Sequence, residues 1–120
     1  MRKSISVLLV AVLVLSLCSC GSDVSDYAKR HGQISVEIVE DYLAGNISYD
    51  EADRKLDSQV DSMDRYIAEV EEETGRTPFD DSHVRYCIYF CSLAITLHYL
   101  GGDSKANIEE KLKDLKKAIK

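Results

Sequence analysis

The stretch "SHVRYCIYFCSLAITLHYL", residues 82–100, limits the fold more than any other part of the chain. Apart from Arg85, Ser92 and Thr96, which share one narrow strip at 100° per residue, it is apolar or aromatic nearly all the way round. A helix of that character needs neighbours on several sides, so it is expected at the centre of a bundle. Asp80, Asp81 and Ser82 offer N-caps and favourable negative charge at its start, and Gly101 and Gly102 end it. A second reading takes it as a membrane segment, but Val84 to Leu100 is short for a span and carries Arg85 and His98.

Three more helices are expected around it. The first begins near Asp23 to Ser25 and ends near Leu43, before Gly45 and Asn46. It places Val24, Tyr27, Ala28, His31, Ser35, Ile38, Val39 and Tyr42 on one side, and Gly32 is expected to weaken or bend its middle. The second starts at Ser48, where Glu51 completes the spacing of a capping box, and runs to about Thr74 before Gly75. Its apolar positions from Tyr49 through Leu56, Val60, Met63 and Ile67 to Val70 form a long narrow seam. The last is capped by Asp103 or Ser104 and buries Ile108, Leu112, Leu115 and Ile119, with lysines toward its C-terminal end. Short turns make antiparallel neighbours the default, so the expected fold is all-α: a small antiparallel bundle of about four helices in one domain, residues 24–120. One proline and no tryptophan agree with helices over strands.

The N-terminus is organised differently. Arg2 and Lys3 precede an apolar run from Ile5 to Leu17, too short to span a bilayer before the chain turns polar at Ser19, Gly21, Ser22 and Asp23. This is the outline of a signal peptide, residues 1–19. Leu17, Cys18, Ser19 and Cys20 resemble the lipobox of bacterial lipoproteins, in which a leucine stands three residues before the modified cysteine and a small residue directly before it. Cys20 fits that pattern and Cys18 does not, since Leu17 would occupy the small-residue place. The resemblance implies diacylglyceryl transfer to the Cys20 sulfur, cleavage before it, and a lipidated tether over residues 20–23. It implies an address at the extracytoplasmic face of a cell membrane. Gly21 is not the aspartate that commonly marks inner-membrane retention in two-membraned bacteria, so an outer-membrane destination stays open. Two acyl chains hold a protein to a bilayer stably where one does not. The short tether would keep the bundle against the membrane surface, where binding a neighbouring membrane protein or blocking access to one becomes the expected work.

Residues 44–59, "AGNISYDEADRKLDSQ", resemble the turn and second helix of the SHOCT module, a short bacterial helix-turn-helix segment, through Gly45, Ile47, Ser48, Glu51 and Lys55. That resemblance implies a short interaction segment and carries no function across.

Charge narrows the partners. The net charge of −6 becomes −8 once residues 1–19 are removed, because Arg2 and Lys3 leave and no acid does. An acidic chain gains nothing from the general field of a nucleic acid, so DNA and RNA are not expected partners. The acidic run Glu69, Glu71, Glu72 and Glu73 is read as a solvated face, or else as a docking edge for a basic partner or for the chain's own lysine-rich last helix.

The chemical constellation with most specificity is His83, Cys87 and Cys91, spaced four apart on one helical face, with His98 on the same arc but too far along the axis to join one ion. A compact metal site would need another ligand, such as His31. The competing reading makes Cys87 and Cys91 small apolar fillers between helices. No serine or cysteine with a paired base can be identified and no glycine-rich phosphate loop, so a non-catalytic binding, scaffolding or exclusion role is expected. A metal- or small-molecule-binding lipoprotein with a pocket near His83, Cys87 and Cys91 is the alternative.

Overall fold

A computed structural model describes residues 24–120. The expected signal peptide, Cys20 and the expected tether lie outside the described residues. The described chain is four helices: α1 Asp26–Leu43, α2 Tyr49–Thr74, α3 Phe79–Tyr99 and α4 Lys105–Ala118. It is the small all-α bundle that the periodicity predicts.

The caps explain most of the boundaries. The Ser25 hydroxyl accepts a hydrogen bond from the Ala28 N–H at 3.1 Å and opens α1. The Ser48 hydroxyl does the same for the Glu51 N–H at 3.2 Å. The reciprocal half of that capping box is not made; the Glu51 carboxylate turns along the helix to Lys55 at 3.1 Å instead. Gly75 ends α2 with φ of 70°, a left-handed value that glycine adopts without a Cβ clash. The start of α3 differs from expectation. It opens at Phe79 with Pro78 as a cap that makes no side-chain bond, so Asp80, Asp81 and Ser82 lie inside the first turn. Proline already holds the φ a helix start needs, and its carbonyl receives the Ser82 N–H at 2.9 Å.

α1 touches all three other helices, and α3 packs most extensively against α2 and α4. No contact joins α2 to α4. The core gathers Ala28 and Val39 of α1, Leu56 and Met63 of α2, Val84, Ile88 and Ile95 of α3, and Ile108 and Leu115 of α4. The α2 seam is buried only through Met63; from Ile67 onward it is half-exposed or exposed, and its last turns project past the core. The lysine-rich α4 accordingly does not meet the acidic run of α2, and Lys116 pairs with Glu40 of α1 at 3.4 Å.

α1 runs unbroken through Gly32. That residue is buried, and a Cβ built on it would collide with Ile119 and sit 3.3 Å from the Val84 Cγ1. The glycine lets the end of α4 lie directly on α1, so its helix-propensity cost is offset by a close approach.

Candidate functional site

The central helix of the expected bundle is not enclosed. α1, α2 and α4 cover one side of α3, and its remaining arc faces outward. Among the described residues, every large apolar side chain that is exposed belongs to α3 or to its C-cap Leu100. Exposure runs from 39% at Leu97 to 81% at Phe79. The outward line reads Phe79, His83, Tyr86, Phe90, Leu93, Leu97, Leu100, alternating steps of four and three residues without a break. That is the spacing of a coiled-coil seam, in which each side chain is a knob for a facing helix. Solvated helices of small proteins do not ordinarily keep so long an apolar row in water.

The polar strip seen in the sequence is turned the other way, toward α2. Arg85 reaches Asp64 with its Nε 2.8 Å from a carboxylate oxygen. Thr96 shares a 3.1 Å hydrogen bond with the Tyr49 hydroxyl, and Ser92 is buried. The Arg85 guanidinium also lies 5.4 Å from the Tyr86 ring centre and 5.5 Å from that of Tyr89, bracing the aromatic half of the outward face. Tyr86 and Phe90 lie 6.4 Å apart in a stacked pair.

Beside this face, between α3 and α4, is a cleft of about 510 Å³ lined by Val24, His83, Tyr86, Cys87, Phe90 and Lys111 among others. Val24, the first described residue, is part of the lining of this cleft. The next residue is fixed by Asp81, a buried carboxylate that accepts the Ser25 backbone N–H at 2.9 Å.

The histidine and cysteines of the sequence pattern are placed as follows. His83 Nε2 is 3.8 Å from the Cys87 sulfur at the cleft. Cys91 is wholly buried one turn deeper, among the core residues. Both thiols are free. Burial pushes the Cys87 thiol up, helped by Asp114 and opposed by Lys111. Burial pushes Cys91 up to about 12, with Cys87 and Asp114 adding to it. Metal ligation and nucleophilic attack both need the thiolate, which this environment disfavours. His31 is elsewhere, on the α1–α2 seam, 2.6 Å from the Gln59 side-chain oxygen and packed against the Tyr27 ring. His98 turns to the Tyr42 hydroxyl at 3.2 Å. Among the described residues no three His, Cys, Asp or Glu side chains come together as ligands for a metal ion. No described helix is long and apolar enough to cross a membrane.

Sequence reasoning missed the outward seam. Its signal was present, because the four-three spacing from Phe79 to Leu100 is visible in the letters alone. Comparison with protein-family models, with curated proteins and with solved structures finds no match to this chain.

Proposed function

We propose that this chain is a bacterial lipoprotein held by acylated Cys20 at the extracytoplasmic face of a cell membrane, where it binds, scaffolds or excludes another protein through the outward face of α3 and catalyses no reaction. The observation that carries this reading is that, among the described residues, the exposed large apolar side chains are confined to that one helix and its C-cap. The lipobox-like Leu17-Cys18-Ser19-Cys20 supports the anchor. From Cys20 to Val24 the chain spans at most about 14 Å even when extended, so an acylated Cys20 would keep the cleft and the Phe79 end of α3 close to the bilayer. The acidic charge argues against nucleic acid as the partner. The test is a membrane pull-down comparing wild type with Cys20→Ala and with Leu93→Lys. Cys20→Ala should release the protein from membranes, and Leu93→Lys should stay bound to them but lose its co-isolated protein.

The cleft beside His83 and Cys87 favours a second reading, a small-molecule or metal-binding lipoprotein. Stoichiometric zinc in purified protein, lost on Cys87→Ser, would establish that alternative.

A further inference from the structure

We infer that the outward face of α3 is occupied by the α3 of a second copy of this chain, packed antiparallel to it. The inference rests on the docking reading above and names its occupant.

Four observations point to a copy. The first is area. An aromatic ring offers on the order of 200 Å² and a leucine somewhat less, so the exposures of this row leave on the order of 700 Å² of apolar face, close to the ~800 Å² that each partner of a standard interface contributes. The second is the size gradient along the row. Its first half is aromatic or imidazole, ending at Phe90, and its second half is Leu93, Leu97 and Leu100. Reversing one copy sets three of the four large side chains against a leucine: Phe90 against Leu93 of the copy, Tyr86 against Leu97, His83 against Leu100, while Phe79 lies beyond the last leucine, level with Ser104 of the copy. A parallel pairing would instead crowd ring on ring at one end and leave leucine on leucine at the other.

The third is charge. The positions that flank the row on α3 are Ser82, Tyr89 and Thr96 on one side and Asp80, Cys87 and Ala94 on the other, so α3 itself brings a charge to the seam only at Asp80, and the charge beside its middle is Lys111 of α4, 6.0 Å from the Phe90 ring centre. Nothing on α3 itself along the middle of the row repels an identical helix, and Lys111 is held over an aromatic ring rather than in the row. A helix that lies on an anionic bilayer instead carries lysine and arginine along its polar flanks. Here the arginine bordering the row, Arg85, is committed to Asp64. The fourth is topology. Each Val24 lies at the Phe79 end of its own α3, so antiparallel packing puts the two chain ends at opposite ends of the pair, and both reach one membrane plane when the two-fold axis stands perpendicular to it. Tethering to a common surface raises the effective concentration of each copy for the other.

The register makes a discriminating experiment. Tyr86→Cys and Leu97→Cys are introduced separately into two differently tagged full-length chains, and membranes holding one or both are oxidised with copper phenanthroline. The parent chain, whose Cys87 and Cys91 are buried, is the background. In the antiparallel pair position 86 of one copy adjoins position 97 of the other, whereas 86 to 86 and 97 to 97 are each about 16 Å apart along the axis. The mixed membranes should therefore give a two-tag disulfide dimer at several times the yield of either variant alone. Higher yield from each variant alone overturns the antiparallel arrangement. A benzophenone maleimide on the Tyr86→Cys thiol reports any other neighbour: an adduct of foreign mass without a two-tag dimer overturns self-pairing and leaves the docking reading standing. No adduct of either kind overturns both.

Discussion

The Asp81 carboxylate accepts the Ser25 backbone N–H at 2.9 Å, and through that one contact the start of α1 is fastened to the first turn of α3. Ser25 uses its hydroxyl at the same time to cap α1, so one residue ends the incoming chain and begins the bundle. The carboxylate is buried and lies in the first turn of α3, where the helix dipole favours negative charge. Removing it leaves the half-buried Ser25 N–H without this partner.

Asp81→Ala should therefore cost about 2 kcal/mol of stability, the range for a hydrogen bond to a charged group, and Asp81→Asn should recover at least half of that. Urea denaturation of the three chains side by side checks the order.

Gly32→Ala tests the close approach of α1 and α4. Helix propensity alone makes alanine better by about 1 kcal/mol. The collision with Ile119 should outweigh this and leave the variant about 1 kcal/mol less stable than wild type. In an Ile119→Ala background the same substitution should become stabilising, and a double-mutant cycle in urea reads the change of sign.

The buried thiols predict a pH dependence. Cys91 keeps its proton in the fold up to about pH 12, while in the unfolded chain it ionises near the ordinary thiol value. Above that ordinary value the unfolded state binds fewer protons than the native one, so stability falls with rising pH, by about 1.4 kcal/mol per unit for this group. The contribution is complete below the unfolded pKa and is lost on the way to pH 12. Lysines and tyrosines titrate in the same window, so the readout is a difference: Cys91→Ala should have a shallower decline than wild type between pH 9 and pH 11.

The phase of α3 is tested by a pair of lysines. In chains dilute enough to be monomeric, Leu93→Lys, on the outward row, should change stability by no more than about 0.5 kcal/mol. Ile95→Lys, two residues on and wholly buried, should unfold the domain or cost more than about 4 kcal/mol. Thermal melts followed by circular dichroism distinguish them.

That phase is the part of the architecture the sequence conceals. Ser25, Ser48 and Gly75 act locally, through bonds to backbone groups a turn away, and so α1 and α2 are legible from the letters. The buried line of α4, Ile108, Leu112 and Leu115, stands out because lysines surround it. α3 has no such contrast. Its inner row of Val84, Ile88, Cys91 and Ile95 is as apolar as its outer row of Tyr86, Phe90, Leu93 and Leu97, so hydrophobicity does not say which row is covered. Only the short α4 and the strip of Arg85, Ser92 and Thr96 against α2 decide it, and both are tertiary facts. The helix start at Phe79 was hidden for a related reason: Asp80, Asp81 and Ser82 are all good caps, yet Asp81 serves α1 by accepting the Ser25 N–H.

The central claim is that a lipid-anchored domain meets its protein neighbour through the outward row of α3. A photoreactive group placed at position 93 in whole cells, compared with one at Glu72 on the projecting end of α2, tests it most directly. The account predicts a discrete protein adduct from position 93 that disappears when Cys20 is replaced by alanine, and none from position 72. Equal labelling from both positions, or an adduct at 93 that survives Cys20→Ala undiminished, would contradict it.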